Sequence, residues 1–155
     1  MPAAPPAGLS REGFLVEINA DKFLIAVNFD PSPTSTNRFS YEIDGGPPQN
    51  TFAPTVSQEL GLVVLNLHTV GGGSQAQFAT GTLEWLSALG DPISTPQDFF
   101  VDHRSGEEIL IVDVNTVSAK TTFRFKIKVV HEETTFISTD PTIINTPVIG
   151  DPDRP

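Results

Sequence analysis

Thr121-Thr122-Phe123-Arg124-Phe125-Lys126-Ile127-Lys128-Val129-Val130 alternates apolar and charged residues through its length. Phe123, Phe125, Ile127 and Val129 share one parity, while Arg124, Lys126 and Lys128 share the other. Successive side chains of a β-strand point to opposite faces, so a period of two predicts a half-buried strand. Sliding this strand by one residue would bury three cations, which specifies its facing strongly.

The same period recurs upstream. Phe14, Val16 and Ile18 align in FLVEIN, and Phe23, Ile25, Val27 and Phe29 align in KFLIAVNFD. Only a few residues around Ala20 and Asp21 separate the two runs, which predicts a hairpin. RFSYEI aligns Phe39, Tyr41 and Ile43 and stops at Gly45-Gly46-Pro47-Pro48. LVVLNLHT (62–69) and EEILIVDV (107–114) are nearly continuous apolar runs, as expected of central strands covered on both faces.

A meander is expected where LVVLNLHT passes through Gly71-Gly72-Gly73-Ser74 into QAQFAT, and TTFIS and TIINTPVI close the chain. TLEWLSALG leaves room for one helical turn, and nothing supports a longer helix. Short strands separated by turn clusters predict an all-β fold. The expected architecture is a two-layer antiparallel β-sandwich of about eight to ten strands, immunoglobulin-like or jelly-roll-like. One domain is expected over residues 13–149, between an Ala/Pro-rich tail at 1–12 and an acidic, proline-containing tail at 150–155.

Composition narrows the function classes. A chain of 155 residues suits one domain and buries enough surface to fold without staples. It has no cysteine, which fits a reducing cytosol and excludes thiolate metal sites. The opening MPAAPPAGLSREG has neither a basic start nor an apolar run, so no secretory leader is expected. No apolar stretch is long enough to span a bilayer as a helix. Nineteen acids against nine bases give a net charge of −10. Phosphate backbones and anionic lipid surfaces repel such a chain, so neither nucleic acid nor membrane is expected as a partner. The cytoplasm is the expected compartment.

No motif for catalysis, metal or cofactor binding emerges. His131-Glu132-Glu133 opens like a metalloprotease motif, but position 135 is threonine where the second histidine ligand belongs. His68, His103 and His131 lie far apart in sequence. Gly71-Gly72-Gly73-Ser74 lacks the lysine and following helix of a phosphate loop, and no serine sits in a Gly-x-Ser-x-Gly elbow. Asp151 and Asp153 lack the rest of a calcium loop.

From Gln77 onward the chain resembles small bacterial β-sandwich proteins of unknown function, the DP-EP-like family. The residues that carry the resemblance are Glu84-Trp85-Leu86, Pro96 to Phe100, Asp113-Val114-Asn115, Phe123 to Val129, and Asp140-Pro141-Thr142-Ile143-Ile144-Asn145-Thr146-Pro147. Thr146 stands where the family's closing motif has an acid. The resemblance implies a fold and no activity. Taken on their own chemistry, Asp140-Pro141 predicts a turn and Asn145 is expected to end the last strand. Asp113 shares parity with Ile109 and Ile111, so it is expected to face inward and to need partners from Asn115 or a nearby backbone N–H.

Lys120, Arg124, Lys126 and Lys128 are four of the nine bases and share one parity. Two readings follow: cations guarding an exposed strand against edge pairing, or a docking stripe for an acidic partner, including another copy. The expected function is a non-enzymatic interaction or structural module that self-associates or binds a protein. The alternative is a small-molecule or carbohydrate-binding protein, an enzyme included. Its site would lie at the strand-end loops or a concave sheet face, with Trp85, Tyr41 and the His103 loop as first candidates.

Overall fold

Eleven strands form in the computed structural model, which describes residues 20–32, 37–71, 73–139 and 141–148. Among these residues there is no helix, hence none long and apolar enough to cross a membrane. The first sheet, A, contains β1 (Ala20–Phe29), β2 (Phe39–Ile43), β4 (Leu60–Thr69), β7 (Phe99–Ser105) and β8 (Glu108–Val114), in the order β2-β1-β4-β8-β7. The second sheet, B, contains β3 (Thr55–Val56), β5 (Gln77–Leu86), β6 (Pro92–Ile93), β9 (Thr121–His131), β10 (Thr134–Ile137) and β11 (Thr142–Asn145). Its order is β3-β11-β9-β5-β6, with β10 pairing β9 as well.

The alternating stretch that opens the sequence is β9, and its facing is the expected one. Phe125, Ile127 and Val129 are fully buried, with Phe123 packed at the margin. Opposite them, sheet A contributes Ile25, Val27 and Phe29 from β1, Val63 and Leu65 from β4, and Ile109 and Ile111 from β8. Each such side chain stabilises the fold by roughly 1.5–3 kcal/mol relative to exposure. Aromatic rings join the layers: Tyr41 meets Phe52 edge-on at 5.0 Å, and Phe52 meets Phe125 at 5.9 Å.

Several details differ from expectation. Both sheets are mixed, because β1 pairs β4 in parallel and β3 pairs β11 in parallel. After β1 the chain detours through β2 in sheet A and β3 in sheet B before it returns as β4. That excursion brings β4 in alongside β1 and running the same way. The eleven strands exceed the expected number because β3 and β6 have two residues each, too few to leave a periodic signal.

The run expected to be a meander crosses between layers, since β4 lies in sheet A and β5 in sheet B. Ala76 N–H donates to Thr69 Oγ1 at 2.7 Å across that connection. TLEWL is strand rather than helix. It continues β5 past an irregularity between Phe78 and Leu83, because Trp85 belongs in the core against Phe99 and Phe125. The run FLVEIN and both tails lie outside the described residues. Ala20 and Asp21, expected in the hairpin turn after FLVEIN, are instead the first two residues of β1 and pair with Leu60 and Gly61.

His131, Glu132, Glu133 and Thr134 form the tight β9–β10 turn, with φ of 49° at Glu132 and 70° at Glu133. Asn145 ends β11 as expected, but its side chain turns inward and is fully buried instead of capping the strand.

Candidate functional site

Even-numbered residues of β1, β4, β7 and β8 point away from the core. Strand registers place Ala20, Leu60 and Val114 in one row, then Lys22, Leu62, Val112 and Phe100, then Leu24, Val64, Leu110 and Asp102. One row further, the surface turns polar with Asn66 and Glu108 beside Ala26. Apart from Lys22 and Asp102, three adjoining rows of an outer sheet face are therefore apolar. Leu24 is 51% exposed, Phe100 66% and Val114 49%.

A shallow concavity of about 330 Å³ sits within these rows, lined by Leu24, Leu62, Val64 and Leu110 with Lys22, Asp44 and Arg104 at its margin. Over the whole face acids outnumber cations, with Glu42, Asp44, Asp102 and Glu108 against Lys22 and Arg104. Glu42 accepts from Asn28 Nδ2 at 2.8 Å, Asp44 Oδ1 accepts from the Leu24 N–H at 2.8 Å, and Asp102 lies 3.7 Å from Arg104.

This face corrects the expectation for LVVLNLHT and EEILIVDV. Their strands are central and flanked on both edges, but only the odd-numbered side is buried. Among the described residues no layer lies over the other side. The continuous apolar runs were the signal for it. An apolar residue facing solvent and one facing a second layer look alike in sequence.

The cationic stripe lies on the opposite outer surface. Arg124, Lys126 and Lys128 point outward from β9, half-buried among neighbouring strands, and Lys120 is exposed just before the strand begins. β9 has β5 on one edge and β10 and β11 on the other, so these cations do not guard an open edge. Lys126 stands opposite Glu84, and Lys128 stands opposite Ile137, which is 53% exposed. Arg124 Nη1 donates to the Ala88 carbonyl at 3.1 Å.

Trp85 and His103 line one small cavity of about 250 Å³ with Thr82, Leu83, Thr95 and Val101. Tyr41 is not part of it: its ring is fully buried in the core, where desolvation pushes the hydroxyl up to about 12 and Ser138 pulls it down. Trp85 is 2% exposed, so its ring is core first. The three histidines do not converge, and among the described residues no cluster of three metal-ligating side chains forms. His131 Nε2 lies 3.2 Å from Ser74 Oγ, which donates to Glu132 Oε2 at 2.9 Å on the exposed turn.

Asp113 faces inward as its parity predicts. Its partner is Asn145, whose Nδ2 donates to Asp113 Oδ1 at 2.8 Å. Burial pushes the Asp113 carboxyl up to about 7; the Asn145 amide opposes this and the Asp98 charge adds to it. Asn115, expected to serve Asp113, instead aims Nδ2 at the carbonyls of Val56, Gln58 and Thr146, at 3.2, 3.1 and 2.7 Å. It ties the β3–β4 link and the end of β11 to the end of β8. These are structural duties in a closed interior.

No family model and no curated protein matches the chain. Among solved structures, it is similar to the crystal structure of the inclusion body protein PixA from Burkholderia cenocepacia. The TM-score is 0.36 and the identity 10%, over 86% of this chain and 97% of that one. A likeness at that score carries no argument about function.

Proposed function

We propose that the protein is a non-enzymatic interaction module, and that it docks a protein partner on the outer face of sheet A. The observation that carries this reading is the run of adjoining apolar rows bearing exposed Leu24, Phe100 and Val114. Contiguous apolar surface is costly to leave in water and marks contact sites when it is rimmed by charge. The acids on this face select a partner that carries cations beside its apolar surface. The Trp85–His103 cavity is smaller than the roughly 300–1,000 Å³ usual for ligand sites, and its aromatic ring is committed to packing.

Nile red, a neutral dye that brightens on apolar surface, tests the face in dilute protein. Wild type is expected to bind it, and Leu24→Ser/Phe100→Ser/Val114→Ser to lose most of the signal while keeping a strand spectrum. A wild type that leaves the dye dark, or a triple variant that binds it equally, overturns the reading.

A further inference from the structure

We infer that the partner of this face is a second copy of the same chain, presenting the outer face of its sheet B; this rests on the docking reading above. The required partner surface combines apolar area with cations. The chain itself carries such a surface. Lys126 and Lys128 project from the middle of sheet B, and Ile137 beside Lys128 is 53% exposed. Val130 and Ile144 share this face at half burial. The methylene stems of the lysines add apolar area while their ammonium groups reach outward.

Charge discriminates between the possible pairings. Two A faces together would set Glu42, Asp44, Asp102 and Glu108 against the same acids, relieved among the described residues only by Lys22 and Arg104. Two B faces together would set Arg124, Lys126 and Lys128 against themselves, relieved among the described residues by Glu84 beside Lys126. Only A on B brings the acids of one face to the cationic stripe of the other, and like-charge contacts are the costly alternative.

The two outer faces point in opposite directions, because they are the two sides of one sandwich. A contact between unlike faces leaves one A face and one B face uncovered at the ends. Such head-to-tail contacts do not close into a dimer and propagate as a stack.

Light scattering on the full chain tests this. Wild-type mass is expected to rise above 16.7 kDa with concentration and to pass twice that value without a plateau. Lys126→Glu/Lys128→Glu, with its B face disabled, should stay at one chain. So should Leu24→Ser/Phe100→Ser/Val114→Ser, with its A face disabled. Mixed in equal amounts, the two variants retain one good A face and one good B face between them, and the mass should stop at two chains.

A wild type that stays at one chain overturns the inference. So does a lysine variant that associates as well as wild type, or a mixture no heavier than its parts. Should the glutamate variant lose its strand spectrum, Lys126→Ser/Lys128→Ser takes its place. In every one of these failures the Nile red result still stands separately, so loss of the homotypic contact and loss of the docking face are told apart.

Discussion

Asn145 of β11 donates to Asp113 of β8 at 2.8 Å, a hydrogen bond that runs from one sheet to the other. Both side chains are fully buried, and Asp113 Oδ2 and Asn145 Oδ1 have no partner among the described residues. Two acceptor oxygens without a donor are costly in a dry interior. A proton on Asp113 Oδ2 turns one of them into a donor, so the neutral acid suits this site better than the carboxylate.

The pH dependence follows with a definite sign. The carboxyl moves from an ordinary 3.8 to about 7 in the folded protein, so the native state holds a proton that the unfolded chain releases. Its contribution is complete below 3.8 and is lost as pH rises through about 7. Each unit of such a shift corresponds to about 1.4 kcal/mol, so the loss is on the order of a few kcal/mol. Asp113→Asn keeps the shape, cannot ionise and supplies its own donor. Urea denaturation at pH 5 and pH 8 should show wild type weakening relative to the variant. Parallel behaviour of the two at both values would refute the account.

Asn115 holds three carbonyls from one amide nitrogen. Asn115→Ala takes this donor from the Gln58 and Thr146 carbonyls, while the Val56 carbonyl keeps the Thr146 N–H, and it is expected to cost about 1–3 kcal/mol. Asn115→Asp should cost further, since it points a carboxylate at carbonyl oxygens. Denaturant midpoints for the two variants check the order, and a reversal would count against the described bonding.

Gly61 of β4 has room for nothing larger. A Cβ there would lie 2.6 and 2.9 Å from the Val56 γ-carbons and 3.3 Å from the Asp113 Cβ. Gly61→Ala is expected to cost about 1–3 kcal/mol through overpacking. Val56→Ala removes the clashing methyls, so the double variant should be more stable than the sum of the singles predicts. Simple additivity in a double-mutant cycle would show that the two sites do not touch.

At the β9–β10 turn, Glu133 adopts φ of 70°. A left-handed conformation costs a residue with a side chain roughly 1–2 kcal/mol, and glycine returns part of that as lost chain entropy. Glu133→Gly should therefore raise the melting temperature by a few degrees. No change or a fall would mean that the turn stores no strain. Glu132 is left untouched because its carboxylate accepts from Ser74.

The layered fold was legible because β9, β1 and β2 each alternate against solvent, and Ile127, Val27 and Tyr41 all landed inside. Asp113 was legible for the same reason, since parity alone put it among Ile109 and Ile111. Its bond to Asn145 was not, because local spacing carries no information about a partner thirty-two residues away. The apolar outer face was misassigned on physical grounds. Leu62, Val64, Leu110 and Val112 satisfy the pattern of a doubly covered strand, and only the layer count shows that one cover is missing. The cation stripe was placed on the right face of β9, but its role as an edge guard failed once β5, β10 and β11 were seen on either side.

The parallel pairing of β3 with β11 sets the order in which the molecule can form. Thr55 meets Ile144, and Val56 meets Asn145, partners roughly ninety residues apart in sequence. Closing a loop of that length costs entropy before any contact repays it, and non-local pairings slow folding. During synthesis, sheet A can assemble once β8 has emerged, with β4 already seated between β1 and β8. The edge of β9 that receives β11 has to wait, and Asp113 waits with it for Asn145. A nascent chain stalled before Thr142 would therefore carry a finished half-sandwich with a carboxyl in its interior and an unpaired strand edge, the state most exposed to misassembly.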